Sequence, residues 1–248
     1  MWRGLNKQEK IQYERDGYVI LKDVIRKSDC RELMSKSIKP ILRKNRLYYT
    51  GKKDRINRAG KIFSGKDGQP LSKKWRKWKP LFKSPRLNLS ICDMHPHSLW
   101  KWVDGAVDGL GWIHMRYPYS RSKLWKAPYK GWHLDSLLED NKIDCEKSVT
   151  IMPLITGITN NGGGSALFKG SHKLINEWIL SGQNRNSLQD YIDKIMVKEL
   201  ATRNNIVETT GEEGDILIMH PHLLHAPSMC NINNKLRVTF NLSVNYSR

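Results

Sequence analysis

The sequence predicts a mainly β protein in which an N-terminal helical layer precedes a barrel or sandwich of short strands. Helical patterns dominate residues 1–42, whereas from about residue 112 the apolar runs are short and separated by Gly, Pro and Asn. The last segment alternates apolar and polar residues, as a strand does. With 248 residues the chain fits one domain, 1–248, because all-β barrels of this size commonly stay undivided.

The first elements are a short helix that ends at Gly17 and a strand over Tyr18–Leu21. Asp29, with Glu32 three residues later, predicts the start of a second helix. The apolar residues of this helix share one face: Cys30, Leu33, Met34, Ile38, Ile41 and Leu42. Pro40 lies inside the pattern and predicts a kink or an early end, because proline cannot donate the helical hydrogen bond.

A strongly basic segment follows. Residues 43–86 contain 16 lysines and arginines against two acids, so this segment holds +14 of the formal net charge of +19. Such a charge density attracts phosphate esters, nucleic acids or acidic lipid headgroups. Trp75, Trp78 and Phe82 are interleaved with the cations and either stack on bases or anchor the loop. We interpret residues 43–90 as a basic insertion, either an anion-binding substrate lid or a solvated loop.

The middle of the chain mixes predicted helices and strands. Residues 99–107 carry a helical pattern, and short buried strands are predicted at 149–152, 166–168 and 216–219. A helical insert over residues 174–205 interrupts these strands, and Ser187 with Asp190 predicts a capping box for its main helix. The buried stripe of that helix is predicted to be Leu188, Tyr191, Ile192, Ile195 and Met196.

The last strand has the clearest pattern in the chain. Five apolar residues alternate with four polar ones: Leu236, Val238, Phe240, Leu242 and Val244 against Arg237, Thr239, Asn241 and Ser243. A period of two places each set on its own sheet face. Arg237 then lies on the polar face, where an anionic partner is expected because an unpaired buried charge is costly.

A candidate metal site begins with the His-x-Asp motif of His133 and Asp135. On a strand these two side chains would project from the same face and converge on one point. The third ligand must come from elsewhere, and the stretch after Gly214-Asp215 offers the histidines His220, His222 and His225. Two histidines and one carboxylate form the facial ligand set of non-haem Fe(II) oxygenases. An arginine twelve residues after the last of these histidines strengthens this interpretation.

Four stretches together resemble the phytanoyl-CoA dioxygenase family of Fe(II)- and 2-oxoglutarate-dependent oxygenases. Residues 16–24 resemble the family's opening strand, and residues 132–135 resemble its first metal motif. Residues 163–173 resemble its Gly-Ser-His turn, and residues 214–237 resemble its second metal and co-substrate motif. The resemblance implies a double-stranded β-helix, of the jelly-roll or cupin-like kind, as the core. It also implies an oxidoreductase that consumes O2 and decarboxylates 2-oxoglutarate to succinate.

The resemblance further implies individual roles. His133, Asp135 and His225 would hold Fe(II), and Arg237 would pair with the distal carboxylate of 2-oxoglutarate, with a hydroxyl from Ser228 beside it. The His-x-Ser spacing of the family is one residue longer here, which makes the role of Ser228 the less secure of the two co-substrate roles.

The other histidines receive no role in the chemistry. His220 and His172 are interpreted as structural, and His222 as a loop residue. The remaining histidines have no partner signature: His95, His97 and His114.

Several alternatives stay open at this level. The preferred function is hydroxylation of a C–H bond in an anionic small molecule. The alternatives are an oxygenase that acts on nucleic acid, a non-catalytic anion- or nucleic-acid-binding protein that uses residues 43–86, and a zinc hydrolase.

Four separated cysteines without a CxxC pair favour a reducing, cytoplasmic setting. No apolar run reaches the roughly 18 residues of a membrane span, and a monomer or weak oligomer is expected.

Overall fold

A computed structural model describes the chain over residues 4–44, 78–94, 99–102, 112–116, 124–136, 147–182, 187–228 and 236–247. The helices in these ranges are α1 (Lys7–Asp16), α2 (Lys27–Leu33), α3 (Lys39–Lys44), α4 (Lys79–Phe82), α5 (Pro85–Met94), α6 (Ser171–Leu180) and α7 (Leu188–Thr202), and a π-helical turn, Met34–Ile38, joins α2 to α3. The strands are β1 (Tyr18–Leu21), β2 (Leu99–Trp102), β3 (Trp112–Arg116), β4 (Lys147–Pro153), β5 (Ala166–Phe168), β6 (Ile206–Glu208), β7 (Ile216–Met219), β8 (His225–Ala226) and β9 (Arg237–Ser247).

The larger of two antiparallel sheets has the strand order β1-β7-β4-β9-β2, and β3 also pairs with β9. One face of this sheet and the N-terminal helices bury their apolar residues in a common core. Ile151 and Val238 belong to the strands of this core, and Leu33, Ile38 and Leu87 belong to its helices. The structure therefore confirms an N-terminal helical layer on a mainly β core.

The smaller sheet has the order β6-β5-β8. Phe168 and Ala226 on its outer face pack against α6 and α7 through Ile175, Trp178 and Ile192. This core confirms the predicted helical insert as a second layer, which covers the smaller sheet.

The two sheets face each other across a third cluster. Met152 and Leu217 from the larger sheet meet Leu167 from the smaller one. The polar face of β9 points the other way from the helical layer, and its Arg237 and Thr239 are 4% and 1% exposed. Two antiparallel sheets that enclose a partly polar interior are the double-stranded β-helix that the sequence predicts.

The N-terminal elements follow the prediction with two adjustments. Helix α1 ends at Gly17, whose φ is 81°, and β1 follows as predicted. Helix α2 begins at Lys27 rather than at Asp29, because Arg26 donates to the Asp29 carboxylate at 2.9 Å and draws it into the first turn. Pro40 does not end the helix. The irregularity appears just before it as the π-helical turn, which accommodates the missing N–H donor.

Two predictions for the middle of the chain are wrong. Residues 99–102 form β2 instead of a helix, because they pair with the last residues of β9, and tryptophan suits a strand; residues 103–111 lie outside the described ranges. At α7, Ser187 makes no capping hydrogen bond, since its φ of −94° and ψ of 5° differ from the extended conformation of a cap. The helix and its buried stripe are confirmed.

The basic insertion is described only at its ends. Residues 45–77, which include Trp75, lie outside the described ranges. Helices α4 and α5 form the other end, where Leu81 is fully buried, and Trp78 and Phe82 pack on the large core. These two aromatic residues therefore anchor the segment. Within the described ranges, no helix combines the length and the apolar character needed to cross a membrane.

Candidate metal centre

His133, Asp135 and His225 meet at one point inside the double-stranded β-helix. One ligand atom from each lies within 4.8 Å of the others. His225 Nε2 is 3.6 Å from Asp135 Oδ1, and the two imidazole rings have centroids 4.3 Å apart. His225 is buried, Asp135 is half-buried and His133 is exposed, so the cluster opens to solvent on one side. The geometry thus brings together the three residues that the sequence singles out.

The backbone holds the two histidines side by side. His133 and His225 exchange two backbone hydrogen bonds, of 3.0 and 3.2 Å, as an isolated antiparallel bridge. The His-x-Asp motif therefore lies in a bridge followed by a turn and not on a regular strand. His225 belongs to β8 and pairs with Leu167, whereas the Gly-Asp-led strand β7 ends at Met219. The sequence suggested that His225 ends the Gly-Asp-led strand; this is wrong, because a turn separates that strand from His225.

Both imidazoles are oriented in the same way. The Nδ1 atom of His133 lies 2.9 Å from the Gly131 carbonyl oxygen, and Nδ1 of His225 lies 3.0 Å from that of Leu223. A carbonyl oxygen only accepts, so Nδ1 carries the proton and Nε2 keeps its lone pair. Neutral imidazoles held by a carbonyl behind the ring are the form in which histidine binds metals.

Asp135 is held by a residue that the sequence analysis did not identify. Thr150 on β4 donates from Oγ1 to Asp135 Oδ2 at 2.8 Å. The other oxygen, Oδ1, is the one that faces His225. One carboxylate oxygen is thus fixed by the large sheet, and the second is directed at the histidines.

A group of buried polar atoms lies on the same side of the large sheet. Ser228 Oγ, Arg237 Nε and Thr239 Oγ1 have no hydrogen-bond partner among the described residues. The three residues are 1%, 4% and 1% exposed. Buried polar atoms without partners cost free energy, so this group fits a polar ligand such as a carboxylate.

Among the described residues, Glu208 is the acidic group that acts on Arg237. Arg237 Nη1 donates to the Gly163 carbonyl oxygen, and burial, together with the charge of Arg116, lowers the pKa of Arg237 to about 9, whereas Glu208 acts in the opposite direction. Glu208 accepts hydrogen bonds of 2.7–3.0 Å from three backbone N–H groups of residues 161–164. Burial nevertheless raises the pKa of Glu208. The anionic partner expected for Arg237 is thus supplied in part by the protein.

His114 and Arg116 belong to this interior, although the sequence analysis gave them no role. In the β3–β9 register, His114 lies opposite Thr239 and Arg116 lies opposite Arg237. Burial lowers the pKa of His114 to about 4, helped by the two arginines and opposed by Asp135. The period of two along β3 puts His114 and Arg116 on the same face, which is the signal that could have identified them. It was not sufficient, because the sequence did not show that β3 pairs with β9.

Three other histidines of the described ranges lie outside the metal cluster. His172 Nε2 lies 3.3 Å from the Glu14 carbonyl oxygen, and the His220 ring is tilted against the His172 ring with centroids 5.1 Å apart. His222 lies in a turn and contacts Asn176 Oδ1. These contacts support the structural interpretation of His172 and His220, and the position of His222 agrees with its prediction as a loop residue. His95 and His97 lie outside the described ranges.

Comparison with known families gives one match. A family model described as phytanoyl-CoA dioxygenase (PhyH) matches residues 13–238. A comparison with curated proteins gives no significant match.

Solved structures share the fold. An iron-bound EctD from S. alaskensis is 17% identical, with a TM-score of 0.59 over 99% of this chain and 78% of that one. AviO1 from Streptomyces viridochromogenes Tue57 is 15% identical, with a TM-score of 0.58 over 97% and 94%. The non-heme alpha ketoglutarate dependent carbocyclase SnoK from nogalamycin biosynthesis is 13% identical, with a TM-score of 0.57 over 98% and 84%. The double-stranded β-helix is thereby confirmed.

Proposed function

The chain belongs to the phytanoyl-CoA dioxygenase family of Fe(II)- and 2-oxoglutarate-dependent oxygenases, and on this premise we propose that His133, Asp135 and His225 hold its iron. The observation that carries this proposal is the meeting of one ligand atom from each residue within 4.8 Å. The donor set fits Fe(II), since it combines two neutral imidazoles with one carboxylate. A bound Fe(II) at such a site supplies O2 activation coupled to the decarboxylation of 2-oxoglutarate.

Arg237 and Ser228 bind the distal carboxylate of 2-oxoglutarate in this proposal. Arg237 Nε and Ser228 Oγ are buried donors without partners among the described residues, so a carboxylate would satisfy both. The desolvation of a buried guanidinium is repaid only by a well-placed anion, and Glu208 is already engaged by three backbone N–H groups.

The reaction is hydroxylation of a C–H bond. One O2 and one 2-oxoglutarate are consumed, one oxygen atom enters the substrate as hydroxyl, and the other leaves in succinate together with CO2. An anionic small molecule is the proposed substrate, because the net charge of +19 is concentrated in residues 43–86. Halogenation is disfavoured, because Asp135 would be the carboxylate ligand whose place a halide would need.

The test is succinate formation. Anaerobically purified protein is loaded with Fe(II), and a panel of anionic metabolites is scored for succinate released above the substrate-free rate. His133→Ala and Asp135→Ala are expected to lose both iron and turnover. Wild-type protein that retains zinc, binds no 2-oxoglutarate and releases no succinate would instead select the hydrolase.

The cellular setting belongs to the same proposal. Cys30 and Cys92 are free thiols in the structure, and the four cysteines of the chain form no CxxC pair. These features support a reducing, cytoplasmic compartment. A monomer or weak oligomer stays a prediction.

A further inference from the structure

Three histidines outside the metal centre meet between α1, α6 and the turn that follows β7. The centroid of the His220 ring lies 5.1 Å from that of His172 and 5.2 Å from that of His222. His172 belongs to α6 and is buried, whereas the other two belong to the turn and are half-buried. We call these three residues the histidine cluster, and it joins segments that are distant in the sequence.

The hydrogen bonds of the histidine cluster fit neutral imidazoles. His172 Nε2 faces the Glu14 carbonyl oxygen and so carries the proton, and its Nδ1 is buried with no partner among the described residues. His220 Nδ1 accepts the backbone N–H of His222 at 3.1 Å, so it carries no proton. A second proton on His172 would be buried on the side that faces Gly17, and one on His220 would break the contact with His222.

The surroundings of the histidine cluster do not favour positive charge. Burial lowers the pKa of both His172 and His222, the latter to about 4. Lys173 adds to the shift of His172 and Asp16 opposes it, but the Asp16 carboxylate already pairs with Arg15 at 2.6 Å. Close in sequence to these contacts lie five further titratable side chains, of which both glutamates are exposed: Tyr13, Glu14, Tyr18, Lys169 and Glu177.

The turn of residues 220–224 links the histidine cluster to both metal motifs. The Pro221 carbonyl accepts a hydrogen bond of 3.0 Å from the hydroxyl of Ser136, the residue that follows the His-x-Asp motif. The Leu223 carbonyl lies 3.0 Å from Nδ1 of His225. One turn therefore supports the first motif and the third proposed ligand at the same time.

From these contacts we infer that the histidine cluster is an acid-sensitive switch, in which proton uptake opens the 220–224 turn and loosens both metal motifs. The opening of the turn is independent of the proposed function, whereas its effect on a bound metal rests on it. A histidine freed from the cluster titrates near pH 6.5, so the open turn binds more protons than the closed one. Below pH 6.5, each histidine then favours opening by up to about tenfold per pH unit, and the turn is closed at neutral pH.

Hydrogen exchange of the metal-free protein measures the opening. The exchange of the Leu223 and Leu224 amides is followed from pH 7 to pH 5 and corrected for the pH dependence of intrinsic exchange. Residues 149–152 of β4 are the internal reference. We expect the protection of the turn to fall about 10- to 100-fold per pH unit below pH 6.5, as for the uptake of one or two protons, while β4 stays protected.

Two substitutions identify the groups that take up the protons. His172→Gln keeps a donor in the place of Nε2 but cannot be protonated, so it should reduce the pH dependence by about tenfold per pH unit. Asn176→Asp places a carboxylate beside Nδ1 of His222 and stabilises the protonated ring in the closed turn, so opening should require a lower pH. Gln8→Glu on the exposed start of α1 makes the same amide-to-acid change away from the cluster and is the control.

Release of Mn(II) to excess chelator tests the effect on the metal motifs. Acid also protonates the ligands themselves in every variant, so the difference from the wild type is the quantity of interest. His172→Gln should release Mn(II) at the wild-type rate at pH 7.5 and up to about tenfold more slowly at pH 5.5, which is one pH unit below the titration of a free histidine.

The possible results separate the switch from the proposed function. Turn amides that stay protected at pH 5, or that lose protection together with β4, overturn the switch, as does an unchanged pH dependence in both cluster variants. Equal Mn(II) release by the wild type and His172→Gln at pH 5.5 overturns the link from the turn to the metal motifs. A wild-type protein that binds no Mn(II) or Fe(II) at pH 7.5 overturns the proposed function, and the exchange experiment still decides whether the turn opens.

Discussion

A substitution of Thr150 tests whether the hydrogen bond to Asp135 matters for iron binding, because it removes no proposed ligand. Its hydroxyl holds Asp135 Oδ2 at 2.8 Å, and its Cβ substituents match those of valine in shape. We predict that Thr150→Val weakens Fe(II) or Mn(II) binding about 10- to 100-fold, because groups that orient a metal ligand typically contribute that much. Metal affinity is measured by competition with a chelator.

Thr150→Ser is the matched control, since it keeps the hydroxyl and should bind metal almost as the wild type does. Asp135→Ala marks the full loss. Equal metal affinity of the valine variant and the wild type would show that the hydrogen bond does not orient the carboxylate.

Arg237 gives a prediction for the co-substrate. Arg237→Ala should weaken 2-oxoglutarate binding by about 3–5 kcal/mol, the usual cost of breaking a buried charge pair, while metal affinity stays unchanged. Ser228→Ala should cost about 1 kcal/mol, as for a single hydrogen bond. Titration of the Mn(II)-loaded variants measures both, and an unaltered affinity in Arg237→Ala would move the anchor to another residue.

His222 makes stability depend on pH. Burial lowers the pKa of His222 to about 4, whereas an unfolded histidine titrates near 6.5. A depressed folded pKa means that the unfolded state takes up the proton first, so stability is full above about pH 6.5 and falls as the pH drops toward 4. The loss is at most about 3 kcal/mol, at 1.36 kcal/mol for each pKa unit.

Urea unfolding of the metal-free protein at pH 7 and pH 4.5 measures this loss. His222→Gln cannot take up the proton and should lose less stability over that interval than the wild type. An identical loss in both proteins would assign the acid sensitivity to other groups.

The sequence predicted the site residues that belong to a recognisable motif. It did not predict the residues that reach the site through the pairing of distant strands. His133, Asp135 and His225 were identified from their spacing and from the family resemblance. Thr150 and His114 were not, because their contacts depend on which strands are neighbours. A threonine on β4 or a histidine on β3 has no distinctive local pattern, and strand pairing between distant segments is not encoded in either segment alone.

At the scale of elements, the apolar–polar pattern predicted secondary structure correctly where one face of the element is buried against the core. The alternation along β9 predicted its two faces, because a shift by one residue would exchange the apolar and polar sets. Residues 99–102 were assigned wrongly, because their extended form depends on the far end of β9. Pro40 predicted a kink or an early end of the helix. The π-helical turn before it and the continuation as α3 were not predicted, because they depend on the packing of Ile38 and Leu42 in the core.

The end of α1 gives a prediction for stability. Gly17 has φ of +81°, and a Cβ added there would lie 2.5 Å from His172 Nδ1, so Gly17→Ala meets both backbone strain and a steric clash. Gly182, just beyond α6, has φ of +70° with nothing within 4 Å of an added Cβ. Gly182→Ala therefore carries only the strain, of about 1–2 kcal/mol.

We expect Gly17→Ala to be destabilised by about 1–3 kcal/mol more than Gly182→Ala, which is the range of overpacking. Chemical denaturation of the two single variants measures the difference. If both lose the same free energy of unfolding, His172 moves aside without cost, and the contact between α1 and α6 is less tight than the structure indicates.

At the scale of the whole molecule, charge and catalysis are separated along the sequence. The proposed iron and co-substrate residues lie after residue 113, whereas the segment 43–86 holds +14 of the +19 net charge. The C-terminal end of that segment packs in the helical layer on the large sheet, with Leu81 fully buried. A fixed anchor of this kind holds the basic segment to the same body as the iron site.

The last prediction concerns that basic segment as a means of recruiting an anionic substrate. Lys73→Glu with Lys77→Glu should raise the apparent KM for the true substrate and leave substrate-free turnover of 2-oxoglutarate nearly unchanged. The matched control is Lys194→Glu with Lys198→Glu on the exposed face of α7, which changes the net charge equally but on the helix that covers the smaller sheet. Salt separates the two substrate classes. A nucleic acid that contacts several phosphates loses orders of magnitude in affinity between about 50 and 200 mM salt, whereas a metabolite with one or two charges loses far less. If both double variants behave alike at every salt concentration, the segment acts only through net charge and does not bind the substrate.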